Sequence, residues 1–321
     1  MSAANFFSPV QEGLQRVEAM IRAQADDRHP DLRAAIGHLL ASGGKRVRPA
    51  VVLLVGQMLG GPQDKLVTLG AAVEMLHTAT LIHDDLIDSS LLRRGMPTLN
   101  ARWSPAATVL TGDFMFARAA KLAAETDYLP LMKLFAETLA IIVNGELTQL
   151  FRSRGLVSRE NYCQRIYAKT ASLFEMSTRA AAMVSPVDDE LTEAMRRYGY
   201  EIGVAFQIVD DILDFTSDQA EIGKPVGGDL LQGLVTLPTL YYAEANPKDP
   251  DVLLLAEGGY GNHERMERLV NAIRASPAIE QASLEARQHV QRSLDILQPL
   301  PPSVEREALV DLANYITDRK Q

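Results

Sequence analysis

Apolar residues recur along almost the whole chain at three- and four-residue spacing, and strict alternation is scarce. That periodicity belongs to helices and not to strands. It predicts helices over residues 8–25, 31–41, 47–59, 62–88, 104–124, 128–152, 158–184, 188–215, 235–246, 249–257, 263–275, 277–297 and 302–318. Proline or glycine stands in most gaps, as at Pro30, Gly60-Gly61-Pro62, Pro97, Pro130, Pro186, Pro247 and Pro301-Pro302. Gly43-Gly44 and the segment GKPVGG at 223–228 read as flexible loops. Without a repeat, a low-complexity tract or a break in composition, residues 1–321 are expected to form a single all-α domain, a large bundle with long central helices.

Composition narrows the function classes. The chain is 47% hydrophobic, enough for a large core, and its formal net charge of −9 argues against bulk nucleic-acid binding. The basic clusters GGKRVRP (43–49) and RRG (93–95) therefore read as sites. A single cysteine, Cys163, excludes an internal disulfide framework and suits a reducing cytosol. No apolar run is read as long enough for a membrane span, and the N-terminus lacks signal-peptide character. The expectation is a soluble cytoplasmic protein.

Two segments carry the chemistry. LIHDDLID (81–88) and FQIVDDILDF (206–215) each set three acids, Asp84, Asp85 and Asp88 or Asp210, Asp211 and Asp214, among apolar neighbours. In a helix the first and third acids of each DDxxD turn lie about 40° apart and roughly 6 Å along the axis, so they point the same way. Carboxylates on largely buried helices are costly unless neutralised or bound to metal. Two such trios facing one cavity would attract a hard divalent ion, and Mg²⁺ shares its shell between one or two carboxylates, phosphate and water. Arg93 and Arg94 follow at once; guanidinium groups suit the remaining oxygens of a phosphorylated ligand, although a plain acid–arginine pairing would place them there too.

The second basic cluster puts Lys45, Arg46 and Arg48 on a glycine-led turn before an apolar helix, a plausible anion site. His77 lies seven residues before Asp84 and about 20° off the same face. A second anion held by Lys45, Arg48, His77 and one of the two arginines would explain why the cations form two groups. Lys169-Thr170, Gln207 (three residues before Asp210) and Lys224 in the glycine-rich loop are weaker candidates for the same centre.

In order and at sensible spacing, GGKRVRP, HTATLIHDDLID, RRGMPT, GELTQL, AKTASLF, FQIVDDILDF and GKPVGGDLLQGLVTLP resemble the trans-polyprenyl diphosphate synthases over roughly residues 40 to 240. The resemblance implies the all-α isoprenoid synthase fold with a central cavity, a homodimer, and two or three Mg²⁺ ions per active site. It implies condensation of isopentenyl diphosphate with an allylic diphosphate. Asp84, Asp88, Asp210 and Asp214 would be metal ligands, with Asp85 and Asp211 supporting them and Lys169 beside them. Lys45, Arg48, His77 and Arg94 would hold isopentenyl diphosphate; Arg93, Lys169, Thr170, Gln207 and Lys224 the allylic diphosphate. Many members carry a basic residue where this chain has Leu234, which touches one outer contact.

Small side chains at Ala79 and Thr80, with Leu76 a turn further, leave room for a growing chain alongside the first acidic helix. The expected product is of medium to long chain. Phe114, Met115 or Phe135 could supply a floor at about twenty carbons instead. Two rivals remain: a class I terpene cyclase, which has no use for a second diphosphate site, and a non-catalytic regulatory subunit, which typically loses acidic-motif residues that are intact here.

Overall fold

The structure is a computed structural model and describes residues 6–26, 29–41, 43–151, 155–216 and 226–319. Its elements are α1 (Gln11–Ala23), α2 (Pro30–Ala41), α3 (Val47–Met58), α4 (Gln63–Ile87), the two-residue strands β1 (Leu92–Arg93) and β2 (Met96–Pro97), α5 (Pro105–Ala124) and α6 (Leu129–Phe151). There follow α7 (Arg159–Ile166), α8 (Ser172–Met183), α9 (Asp189–Thr216), α10 (Gly228–Leu231), α11 (Leu237–Ala245), α12 (Pro250–Ala256), α13 (His263–Arg274), α14 (Ala278–Leu297) and α15 (Val304–Asp318). Their ends lie within three residues of the helices expected from periodicity. The difference is at 158–184, where a π-helical turn, Tyr167–Ala171, separates α7 from α8. The short hairpin and α10 were also unforeseen.

The described residues group into two compact units. One comprises Met1–Thr138, Leu173–Arg196 and Leu300–Leu309; the other Leu139–Ser172, Arg197–Pro299 and Val310–Gln321. The first is organised on α4, which packs against α1, α3 and α5. Leu66, Val67 and every residue from Leu69 to Leu76 are buried. Burial on all sides is what a helix apolar around its circumference requires. Glycine permits the closest approaches. A Cβ on Gly56 of α3 would lie 2.1 Å from the Leu66 side chain, and one on Gly112 of α5 would lie 2.2 Å from His83 Nε2. In the second unit, fully buried Tyr162, Tyr198 and Phe215 are among the largest core side chains, and α11 packs on α14.

One expectation needs correction. By length and mean hydropathy alone, α4 and α6 reach what a membrane span requires. Isolated polar residues interrupt their apolar runs without lowering the average enough. In α4, 67% of the apolar window is buried inside the protein, as in a core helix; in α6 only 22% is. The exposed residues of α6 include Val143, Leu147, Leu150 and Phe151, at three- and four-residue spacing along one side.

Candidate active site

Both acidic turns sit at the C-terminal ends of long helices. The first closes α4. Ser89 takes a left-handed φ of 52°, and the amides of Ser89 and Ser90 bond back to the carbonyls of Leu86 (3.2 Å) and Asp85 (2.8 Å). This is a Schellman end made without glycine. The negative pole of the helix dipole lies here, so three carboxylates are placed where cations, not anions, are stabilised. The site must supply positive charge.

Part of it comes from the hairpin. Arg94 and Gly95 form its two-residue turn with φ of 53° and 75°, the positive pair that a type I′ connection needs. Thr98 Oγ1 and Asn100 Nδ2 donate to the Ser90 carbonyl at 2.7 and 3.0 Å, anchoring the hairpin to the helix end. Arg93 reaches back to Asp85. Its Nε donates to both carboxylate oxygens at 2.9 and 3.0 Å, and its Nη2 lies 2.8 Å from Oδ1. Asp85 is buried at 7% exposure, Asp84 half-buried and Asp88 exposed. The plain acid–arginine pairing therefore holds for Asp85. Asp84 and Asp88 form the outward pair.

The start of α3 collects the other cations. Arg46, left-handed at φ 47°, is committed to structure: it donates to Glu18 (3.1 Å), Glu74 (2.9 Å) and the Leu40 carbonyl (3.1 Å). Arg48 lies over the Phe174 ring at 4.8 Å and 3.2 Å from His77 Nε2. Burial holds His77 well below the usual histidine range, and the charges of Arg48, Arg94, Arg93 and Arg46 act in the same direction. It is neutral at pH 7. Since a guanidinium only donates, Nε2 accepts from Arg48 and the proton resides on Nδ1. Arg94 bonds to the Gly43 carbonyl, and Lys45 is exposed on the same loop. A side chain at Gly44 would meet Arg94 Nη1 at 2.6 Å, so that glycine admits the arginine. Lys45, Arg48, His77 and Arg94 thus all belong to the first unit, where Arg48 contacts His77 and the charge of Arg94 acts on it.

The second acidic turn is built differently. Asp210 pairs with Arg319 (2.7 Å), whose guanidinium lies 3.8 Å over the Phe206 ring. Asp211 turns inward. It is 4% exposed and accepts from Tyr162 Oη at 2.8 Å and Gln207 Nε2 at 2.9 Å; Gln207 Oε1 accepts from Thr170 Oγ1 at 2.5 Å. Burial pushes the Asp211 carboxyl up to about 7. Asp214 accepts from the Asp229 amide at 3.2 Å at the start of α10. Lys169 is exposed on the π-helical turn, a distortion that recurs at functional sites. Lys224 lies outside the described residues. Leu234 is half-buried.

Tyr162, Arg319 and Phe174 escaped the sequence reading. Tyr162 stands seven residues before Lys169 and Arg319 lies 109 after Asp210, and neither spacing is a motif. Among the described residues, no three His, Cys, Asp or Glu side chains converge to hold a metal. The donor set still fits a hard ion. It consists of carboxylates at negative helix ends, and one of them already carries a guanidinium in a cation's place.

The polyprenyl synthetase family model matches residues 29–273. The heptaprenyl diphosphate synthase component 2 of Bacillus subtilis is 35% identical, over 98% of this chain and 90% of that protein. The all-trans-nonaprenyl-diphosphate synthase (geranyl-diphosphate specific) of Rhodobacter capsulatus is 36% identical over 99% and 98%. The polyprenyl synthase of Caulobacter crescentus CB15, solved with calcium and isoprenyl diphosphate, superposes with a TM-score of 0.91 at 33% identity, covering 100% of this chain and 98% of that one. The chain belongs to the polyprenyl synthetase family. It has the all-α isoprenoid synthase fold and is an enzyme, a prenyltransferase of the polyprenyl diphosphate synthase class.

Proposed function

We propose that the chain, acting as one synthase domain over residues 1–321, condenses isopentenyl diphosphate with an allylic diphosphate, head to tail and trans, in an Mg²⁺-dependent reaction. The product is a medium- to long-chain polyprenyl diphosphate. The observation that carries this reading is that a family-matched chain ends two long helices in DDxxD turns, one with an arginine hairpin directly behind it. Asp84, Asp88, Asp210 and Asp214 would hold the metals. Bound Mg²⁺ supplies positive charge to the departing diphosphate.

Lys45, Arg48 and Arg94 hold isopentenyl diphosphate, with His77 offering its Nδ1–H. Arg93, Lys169 and Lys224 neutralise the allylic diphosphate, while Thr170 and Gln207 order the helix beneath it. The allylic C–O bond breaks and diphosphate leaves with the electron pair. The π electrons of isopentenyl diphosphate then form the new C–C bond. A proton is lost from the adjacent carbon to the released diphosphate, which restores a double bond. No protein nucleophile enters, and the apolar helices keep water from the cation.

Ala79 and Leu76, both fully buried, lie roughly 7.5 and 12 Å down α4 from Asp84, and Thr80 is half-buried with its hydroxyl bonded to the His77 carbonyl at 2.8 Å. These small and soft residues support growth to about thirty carbons or more by family analogy. The exposed apolar line on α6 supports a homodimer, and the cysteine content supports a cytoplasmic setting. A second reading has one specific observation behind it: the Bacillus subtilis relative is called a component, which favours a catalytic chain that works with a different partner.

The test is to assay the purified chain alone with isopentenyl and farnesyl diphosphates, with and without EDTA, and to chromatograph the products. Long products that vanish with EDTA and shorten to fifteen or twenty carbons in Ala79→Tyr are expected. A wild type that stops at fifteen carbons defeats the open-path argument; a chain inactive alone favours the component reading.

A further inference from the structure

Helix α9 has a second lined face. Val209, Ile212, Leu213 and Thr216 border a cavity of about 320 Å³, closed by Ser283, Ala286 and Arg287 of α14 and by Thr317 and Arg319 at the end of the chain. The mean direction of these α9 positions lies roughly 130° around the helix from that of Asp210 and Asp214, with Leu213 the nearest to the acids. The cavity is therefore distinct from the face that carries the acids.

Its polar character is cationic. Arg287 is exposed and has no carboxylate partner among the described residues. The Arg319 side chain is 6% exposed, and its Nε is buried without a hydrogen-bond partner. Its other contacts, to Asp210 and the Phe206 carbonyl (2.6 Å), are made through Nη2. A buried N–H left unbonded is costly, and a ligand acceptor removes that cost. The three hydroxyls do not compete for the role: Thr216, Ser283 and Thr317 already donate to helix carbonyls at 3.1, 2.8 and 3.1 Å. The floor of Val209, Ile212, Leu213 and Ala286 is apolar. At about 320 Å³ the space sits at the small end of ligand pockets. It suits a headgroup with a short apolar chain and excludes a long prenyl tail.

We propose that this cavity is a second binding site for a phospho-anion, held by Arg287 and Arg319 Nε, with a diphosphate ester bearing a short apolar group as its best-fitting ligand. Arg319 is shared between this cavity and the second acidic turn, so the two faces of α9 meet at one side chain.

The full chain is titrated calorimetrically in EDTA with inorganic diphosphate and with dimethylallyl diphosphate. The expected result is a class of metal-independent sites whose affinity falls at least about tenfold in Arg287→Glu, as for loss of a charge-assisted bond. The same class is lost in Ser283→Phe, which fills the space while keeping both arginines. Prenyl transfer with saturating Mg²⁺ stays within about twofold of wild type in Arg287→Glu. Tighter binding of the ester assigns the site to prenyl-type diphosphates; equal binding assigns it to free inorganic diphosphate. Stoichiometry and affinity unchanged by both substitutions overturn the proposal, and do so without bearing on the catalytic reading, since no turnover enters the titration.

Discussion

The two DDxxD turns share a sequence and a position at a helix end, yet their charges are balanced by different means. In the first, the middle acid Asp85 is neutralised by Arg93, eight residues on, and the outer acids face outward. In the second, the middle acid Asp211 has neutral partners, Tyr162 and Gln207, and the cation Arg319 sits on the outer acid Asp210. An identical motif therefore fixes which side chains are present but not which are committed to structure. The contrast makes Asp85 half of an ion pair and Asp211 a buried hydrogen-bond acceptor.

The largest expected effect tests what the turns have in common. Asp84→Ala and Asp210→Ala should each lower kcat by about 10³-fold or more, the scale of removing one stabiliser of developing charge. Circular dichroism should show the helical content retained. A normally folded variant with near-wild-type turnover in Mg²⁺ would sink the metal assignment. Next, Arg48→Ala should raise the KM for isopentenyl diphosphate by about 10- to 100-fold, since hydrogen bonds to charged groups are worth roughly 1.5–3 kcal/mol. The KM for the allylic substrate should change far less. Equal changes in both would collapse the two anion sites into one.

A sharper test separates the middle acids. Asp85→Asn leaves Arg93 without its carboxylate, whereas Asp211→Asn keeps an acceptor for Tyr162 or Gln207. Thermal melts in EDTA should show the first costing more, about 1–3 kcal/mol against less than about 1 kcal/mol. Tyr162→Phe removes one hydroxyl from the same network. It should raise the Mg²⁺ concentration needed for half-maximal rate several-fold while Tyr162→His, which keeps a donor, recovers part of it. If the metal requirement is unmoved, Tyr162 is a packing residue and does not position the turn.

Much of this was legible in sequence because it is local. Helix ends followed from period and punctuation, and the acids, the RRG turn and the GGKRVRP loop are short contiguous patterns. The Asp85–Arg93 pair spans one turn and a hairpin, so it could be weighed from spacing alone. The Arg319 pairing, the Tyr162–Asp211 bond and the Arg48–Phe174 stacking were not legible. Each joins residues tens of positions apart or more, through packing that no single segment encodes. Arg46 shows the reverse: as a cation in a basic loop it looked like ligand machinery, and only the buried Glu74, at 5% exposure, reveals it as structural. The π-helical turn was invisible because its side chains keep a helical pattern.

The smallest effect concerns the first region alone, and it follows from His77. Its folded pKa lies well below its value in an unfolded chain, about 6.5, because burial and four arginines disfavour the imidazolium. The unfolded state therefore binds more protons as pH falls through that range. Stability contributed by neutral His77 is fully present above about pH 6.5 and is lost progressively below it. Glu201 and Glu285, whose carboxyls are held below their ordinary 4.5, lose their contributions only further down. Asp211, pushed up to about 7, takes up its proton first in the folded chain and so adds stability as pH falls through the same interval, from about 6.5 to 4.5. The histidine is therefore read from the difference between wild type and a His77 variant. The slope cannot exceed one proton, so the loss attributable to His77 over the interval is at most about 2.7 kcal/mol. His77→Gln keeps an acceptor for Arg48 and removes the titration. Its melting temperature, followed in EDTA from pH 7.5 to 4.5, should fall less steeply than that of the wild type. Parallel curves would mean that His77 is not the neutral acceptor that the Arg48 contact requires, and that the cations around it are balanced by another group.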